Sequence, residues 1–260
     1  MQQNAVSYIS RACESIAGGR IPGFLLDSLH HPPYNNVIIY QDIEFMSFFI
    51  TFEGIEGSGK STQLRALAQH LDVRGHRVVT TREPGGCRIA DTIRAILLDP
   101  ANRTLVPRAE LLLYAAARAQ HVDEIVRPAL AAGQTVLCDR FADATLAYQG
   151  GGRGLDAALV LELNAIAGGG LIPDLTLLLD FPVDEGLARA RHRNRDGGLQ
   201  DEERFELERP DFHRRVRAAY LELAAREPRF RIIDAQGDPG TVAARIRAAV
   251  DSFMSGRKPS

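Results

Sequence analysis

Two kinds of hydrophobic pattern alternate along the chain from about residue 47 onward. Short, almost continuous apolar runs are followed by longer stretches in which apolar residues recur every three or four positions. The short runs are typical of strands buried on both faces of a parallel sheet, and the longer stretches are typical of helices that cover such a sheet. Their alternation predicts an α/β protein, a three-layer α/β/α domain with a five-stranded parallel sheet.

The boundaries of the predicted strands and helices follow from the apolar runs and from the residues that interrupt them. The predicted strands lie near residues 48–52, 77–81, 135–139, 175–181 and 230–234. The predicted helices span about residues 60–74, 88–98, 107–131, 156–167, 183–193, 209–226 and 239–254. Pro107 and Pro239 mark helix starts, whereas Gly75 and Gly133 mark helix ends.

Because parallel strands are joined by right-handed crossovers, their carboxyl ends meet at one edge of the sheet. The segments that we expect at this edge are Gly54–Ser61, Arg82–Gly86, Asp139–Phe141 and Asp180.

Residues 1–45 follow a different pattern, since glycine and proline pairs interrupt short apolar stretches and no period is sustained. We interpret them as an N-terminal extension that is disordered or loosely packed, and we place the working domain in residues 46–260. The alternative is a helix near residues 5–17 that packs on the domain. Proteolysis of the first 45 residues would separate the two interpretations.

Net charge indicates which kinds of partner the chain can bind, and cysteine content indicates the compartment in which it works. A net charge of −2 gives no general attraction to nucleic acid or to an anionic membrane surface, so a small anion is the favoured partner. No apolar run approaches the ~20 residues that cross a bilayer. Cys13, Cys87 and Cys138 are too widely spaced to indicate a disulfide framework or a zinc site, which favours a reducing cytoplasm.

The strongest motif is GIEGSGKS at Gly54–Ser61, which fits GxxxxGKS between a predicted strand and a predicted helix. Its glycines let backbone N–H groups point at a polyphosphate, to which the helix N-terminus adds positive charge. Lys60 can reach the outer phosphates and Ser61 is placed to bind Mg²⁺. The residues of this predicted polyphosphate site are Gly54, Ile55, Glu56, Gly57, Ser58, Gly59, Lys60, Ser61 and Thr62.

Two arginines follow neighbouring strand ends, Arg82 after the second strand and Arg140 after the third. A guanidinium group binds phosphate through two parallel hydrogen bonds, so the pair suits an acceptor phosphate held opposite the polyphosphate. Asp139 either binds Mg²⁺ through water or fixes Arg140, and the sequence leaves both roles open.

Further side chains fit a nucleoside pocket. Tyr114 and Arg118 lie four residues apart on a predicted helix, so one could stack on a base while the other reads its edge. On these two residues alone, a core tyrosine beside a solvated arginine is the simpler interpretation. The polar run around Thr145, Tyr148 and Gln149 precedes a glycine-rich stretch, which we interpret as a pocket lining with a flexible loop.

These motifs together resemble the bacterial kind of thymidylate kinase. The resemblance covers residues 49–62, 81–86, 109–120, 139–154 and 173–180, and an arginine-rich lid at about residues 189–206. It implies Mg²⁺-dependent transfer of the γ-phosphoryl group of ATP to dTMP, which gives dTDP in the dTTP supply pathway. It also implies a cytoplasmic homodimer.

By this resemblance the polyphosphate site is the ATP site, and Arg82 and Arg140 hold the dTMP phosphate. Glu56 would face the deoxyribose 3′-hydroxyl and the metal region. The nucleoside would be bound by stacking on Tyr114, base contacts from Arg118 and Thr145, exclusion of ribose by Tyr148, and a wall that includes Gln149.

Catalysis, again by resemblance, would need positive charge on the transferred phosphoryl group. Because Gly57 stands where related kinases carry an arginine, the lid would supply this charge. The implied catalytic residues are Lys60, Arg140, Arg191, Arg193 and Arg195, with Ser61 and Asp139 at the metal.

Two alternatives remain open. A kinase for another monophosphate or for a deoxynucleoside would share the phosphate loop and the lid. A nucleotide-dependent switch would share the loop alone, although the sequence has no NKxD-type segment that reads guanine.

Overall fold

A computed structural model describes residues 46–197 and 204–257 of the chain. The predicted N-terminal extension, residues 1–45, lies outside the described residues, and the division of the chain at residue 46 stays a prediction.

The sheet has five parallel strands in the order β2-β3-β1-β4-β5, which confirms the predicted fold class. The strands are β1 (Phe49–Glu53), β2 (Val78–Arg82), β3 (Thr135–Asp139), β4 (Leu175–Asp180) and β5 (Phe230–Asp234). Because β1 lies between β3 and β4, all five of its residues are buried. The phosphate loop therefore begins from the most enclosed strand of the sheet.

Helices cover both faces of the sheet. They are α1 (Lys60–Val73), α2 (Arg88–Leu98), α3 (Pro107–His121), α4 (Arg127–Ala131), α5 (Ala142–Thr145), α6 (Ala157–Gly168), α7 (Val183–Gly197), α8 (Pro210–Arg226) and α9 (Pro239–Ser255). On one face, α1 and α9 pack through residues such as Leu67 and Ile246 against Ile50 and Leu177. None of the described helices is long and apolar enough to cross a membrane.

Two helices begin at residues that can cap them. The carboxylate of Asp156 accepts hydrogen bonds from main-chain N–H groups in the first turn of α6, and that of Asp238 does the same for α9, where Pro239 follows. Such caps satisfy N–H groups that have no partner within the helix.

The helix predicted over residues 107–131 is interrupted. A π-helical segment, Val122–Val126, separates α3 from α4. Pro128 lacks the N–H group that would continue α-helical bonding, and a wider turn accommodates this loss.

The sequence predicted a flexible loop in the glycine-rich stretch at residues 150–154. This prediction is wrong for the first part of the stretch. After α5 the chain forms a π-helical segment, Leu146–Gly152, that packs on α8. A Cβ atom at Gly151 would lie 2.6 Å from the Cβ of Ala219, and one at Gly152 would lie 2.5 Å from the Phe212 ring. These glycines permit close packing between helices.

We expect Gly152→Ala to lower the free energy of unfolding by about 1–3 kcal/mol, because the added methyl group overpacks a buried contact. Gly150→Ala is the matched control, since a Cβ there meets no described atom within 4 Å. Denaturant unfolding of the two variants and the wild type measures the difference. Equal stability of the two variants would contradict the packing role of Gly152.

Candidate functional site

A cavity opens at the carboxyl edge of β1, β2 and β3, where the predicted segments meet. It is enclosed by the phosphate loop, the turn after β2, α3, the residues that follow β3, and the stretch from residue 204 onward. Lys60, Arg82 and Arg140 all line it. The two arginines therefore converge on the lysine as the strand-end rule predicts.

The shape of the phosphate loop depends on glycine. Gly54, Gly57 and Gly59 have φ angles of 135°, 71° and 93°, in the region that residues with a side chain rarely adopt. A Cβ atom at Gly57 would also overlap the carbonyl oxygen of Gly186 in α7. The loop is thus pressed directly against the first turns of α7.

Lys60 is held inside the loop. Its Nζ atom donates to the carbonyl oxygens of Gly54, at 3.0 Å, and Ile55, at 2.8 Å. Burial, followed by the nearby charge of Arg140, lowers the pKa of Lys60 to about 8. A bound anion would therefore stabilise the charged form of Lys60.

Ser61 and Asp139 are brought together at the mouth of the cavity. The Ser61 hydroxyl donates to Oδ2 of Asp139 at 2.6 Å. The described residues include no group of three or more histidine, cysteine or acidic side chains that could hold a metal alone. Two oxygen ligands completed by phosphate and water are nevertheless the kind of set that Mg²⁺ adopts.

Arg140 connects β3 to the phosphate loop. Its backbone has a φ angle of 71°, unusual for a residue with a side chain. Its guanidinium group donates to the carbonyl oxygen of Gly54 at 2.8 Å and to Oε1 of Glu56 at 3.1 Å, and it lies 4.8 Å from the centre of the Tyr148 ring. These contacts fix the guanidinium group in one orientation, and they also hold the strained backbone in place.

The Glu56 carboxylate is the other partner at the centre of the cavity. It accepts a hydrogen bond from the Tyr148 hydroxyl at 2.6 Å. Burial opposes its ionisation, but His213 and Arg140 outweigh burial and hold the pKa of Glu56 well below its usual range. Glu56 is therefore a carboxylate in the free chain.

Arg82 is more exposed than Arg140. It donates to Asp91 of α2 at 3.0 Å, and about half of its side-chain surface is accessible. A surface ion pair of this kind contributes little to stability, so Arg82 can turn toward an anion at small cost.

The side chain of Arg118 is buried, so its interpretation as a solvated arginine is wrong. It donates to Glu83 at 2.8 Å and to Asn164 at 2.6 Å, and also to Thr145 at 2.8 Å. Tyr114, half-buried, lines the same cavity. The pair therefore lines the same cavity as Lys60 and Arg140.

Gln149 was predicted to line the cavity, but its side chain lies behind the cavity wall. Tyr148 lines the cavity, whereas the buried Gln149 amide donates to Glu110 of α3 at 2.8 Å. The π-helical turn places neighbouring side chains on different sides, so Gln149 supports the wall from behind.

The sequence assigned no individual role to several cavity residues. Arg94, Phe205 and Glu206 line the cavity, and Glu83 binds both Arg118 and His121. Glu83 stands in the motif Thr81–Gly86, and Phe205 and Glu206 stand at the end of the predicted lid, whereas no sequence signal pointed to Arg94.

The arginines of the predicted lid are only partly described. Arg191 is exposed on α7. The side chains of Arg193 and Arg195, and residues 198–203, lie outside the described part of the chain.

The comparisons with known proteins all identify thymidylate kinases as similar proteins. A family model described as thymidylate kinase matches residues 52–246. The chain is 61% identical over 206 residues to a thymidylate kinase of Geotalea uraniireducens, covering 79% of this chain and 97% of that one. It is 59% identical over 211 residues to the Geobacter sulfurreducens enzyme, with coverage of 81% and 98%.

A solved structure agrees. The crystal structure of thymidylate kinase from Ehrlichia chaffeensis superimposes with a TM-score of 0.63 at 33% identity, covering 79% of this chain and 99% of that one.

The lowered pKa of Lys60 predicts proton uptake when a polyphosphate binds. At pH 8 the free chain holds about half a proton on Lys60, and a bound anion raises the pKa and completes protonation. With inorganic triphosphate, calorimetry in buffers of different ionisation enthalpy should show about half a proton more uptake by the wild type than by Lys60→Arg. Affinity should also fall as the pH rises above 8. Equal proton exchange by the two proteins would contradict this role.

Proposed function

The chain belongs to the thymidylate kinase family, and on that premise we propose how its cavity phosphorylates dTMP to dTDP with the γ-phosphate of ATP. The two nucleotides would lie end to end, with ATP on the phosphate loop and dTMP beneath Tyr114. The observation that carries the proposal is that Lys60, Arg82 and Arg140 line one cavity. Phosphoryl transfer requires mainly positioning and charge neutralisation, which this arrangement supplies.

On the donor side, the backbone of residues 54–62 would bind the phosphates of ATP. Its N–H groups lie at the N-terminus of α1, where the helix dipole favours anions. Lys60 would exchange its contacts with the Gly54 and Ile55 carbonyls for the outer phosphates.

Ser61 and Asp139 would hold Mg²⁺, and the ion would neutralise charge on the phosphates. Their 2.6 Å hydrogen bond already brings the two oxygen ligands together at the cavity mouth. This favours the metal role for Asp139. No described contact joins its carboxylate to the guanidinium of Arg140.

On the acceptor side, Arg82 and Arg140 would bind the 5′-phosphate of dTMP. Arg140 is rigid and Arg82 is exposed, so we assign the fixed orientation of the phosphate to Arg140 and the adjustable contact to Arg82. Glu56 would receive the 3′-hydroxyl of the sugar, beside Tyr148.

At the base end, Tyr114 would stack on thymine. Arg118 and Thr145 would contact its polar edge. Arg118 already holds four protein acceptors, so its contribution is a fixed position that leaves little freedom for a differently shaped base.

Three further elements of the proposal are the lid, the oligomeric state and the location in the cell. The transferred phosphoryl group would be stabilised by the lid arginines, of which Arg191 is described. A homodimer would cover exposed apolar residues of the neighbouring helices α3 and α6, such as Leu112 and Ile166. A reducing, cytoplasmic location agrees with the free thiols of Cys87 and Cys138.

An acceptor panel tests the substrate. With ATP and Mg²⁺, we expect phosphorylation of dTMP at a kcat/KM well above that for dUMP, UMP, dCMP and thymidine, measured by coupled ADP release. Thymidine should fail because it offers no phosphate to the two arginines. Preference for another acceptor would overturn the substrate assignment, and nucleotide hydrolysis with no acceptor activity would favour a switch.

The variant Arg82→Ala tests the acceptor site in the same assay. It should raise the KM for dTMP by about tenfold or more, the effect of losing one charged hydrogen bond, and leave the KM for ATP within about twofold. An unchanged KM for dTMP would remove Arg82 from the acceptor site.

A further inference from the structure

His213 lies between two walls of the cavity and has no role in the function proposed so far. It projects from α8 and its side chain is completely buried. One ring nitrogen, Nδ1, lies 3.1 Å from Oε2 of Glu56 in the phosphate loop. The other, Nε2, lies 3.1 Å from the main-chain carbonyl oxygen of Phe205.

The contact with Phe205 determines the proton on one ring nitrogen. A carbonyl oxygen only accepts hydrogen bonds, so Nε2 carries a proton. On the other side, Arg140 and Tyr148 both donate to Oε1 of Glu56, which favours the ionised carboxylate.

The ring therefore donates to the Phe205 carbonyl oxygen through Nε2 and faces the Glu56 carboxylate with Nδ1. The charged and titratable groups that face it through Glu56 are Arg140, Tyr148 and Lys60. The ring of Phe212 in the same helix packs edge-on against it.

We propose that His213 is a positioning residue that ties the phosphate-loop carboxylate to the cavity wall formed by Phe205. The Phe205 ring packs against Tyr148, with ring centres 5.6 Å apart, and lies 6.4 Å from the Tyr114 ring. The His213 ring thus spans the distance between the Glu56 carboxylate and the aromatic wall at the base end. This inference rests on the proposed function, because it assumes that dTMP fills the space between them.

Three substitutions separate the contact of His213 with Glu56 from its hydrogen bond to Phe205. His213→Phe removes both ring nitrogens and keeps a flat ring, His213→Asn keeps an amide near the position of Nδ1, and His213→Gln keeps one near the position of Nε2. His70→Gln in α1 is the control, because His70 lies outside the cavity lining and pairs with Asp251.

We expect His213→Phe to lower kcat/KM for dTMP by about ten- to a hundredfold, the range for losing a buried polar contact with a charged group, with the KM for ATP within about twofold. The Asn and Gln variants should lie between it and the wild type, and His70→Gln should match the wild type. Wild-type kcat/KM for dTMP in His213→Phe, or an equal rise of both KM values, would overturn the proposal.

A second measurement needs no variant activity. In the full chain with ¹⁵N-labelled histidine, NMR should show a proton on Nε2 of His213, and the signal should be missing from His213→Gln. A ring without a proton on Nε2 would overturn the proposal even if the variants lose activity. If the wild type fails to phosphorylate dTMP, the proposed function fails, whereas the hydrogen bond from His213 to Phe205 is still decided by this spectrum.

Discussion

The contact of Arg140 with the phosphate loop is the interaction on which the rest of the site depends. The guanidinium group reaches from the end of β3 to the Gly54 carbonyl at the end of β1, and to the Glu56 carboxylate beyond it. It requires a left-handed backbone at Arg140, which costs on the order of 1–3 kcal/mol. The contacts of the side chain offset this cost, and they fix the spacing between the end of β3 and the phosphate loop.

Buried acidic side chains hold residues that line the cavity or support its walls. Glu53, at the end of β1, accepts hydrogen bonds from Tyr220 and from the main chain of Phe141, and burial together with the charge of Asp143 raises its pKa to about 8. Glu83 performs the same task for Arg118, and Glu110 for Gln149 and Arg204. Fixed groups of this kind lose little freedom when substrates bind, which is how a site that works mainly by positioning gains rate.

The sequence alone predicted the sheet, the phosphate loop and the convergence of Arg82 with Arg140, because each follows from a local pattern and the strand-end rule. It did not predict the partners of Arg118, since Glu83 and Asn164 are 35 and 46 residues away along the chain. The orientation of Gln149 was missed because a π-helical turn changes the phase of side chains. Phe205 and His213 look like ordinary core residues in sequence, and only the fold brings them to the cavity.

The central claim is that one cavity binds two nucleotides with their phosphates in line. A single molecule in which adenosine and thymidine are joined through five phosphates tests this directly, in steady-state inhibition and in calorimetry. We expect one molecule to bind per chain and to compete with both ATP and dTMP. Competition with only one of the two substrates would show that the sites are separate and would contradict the account.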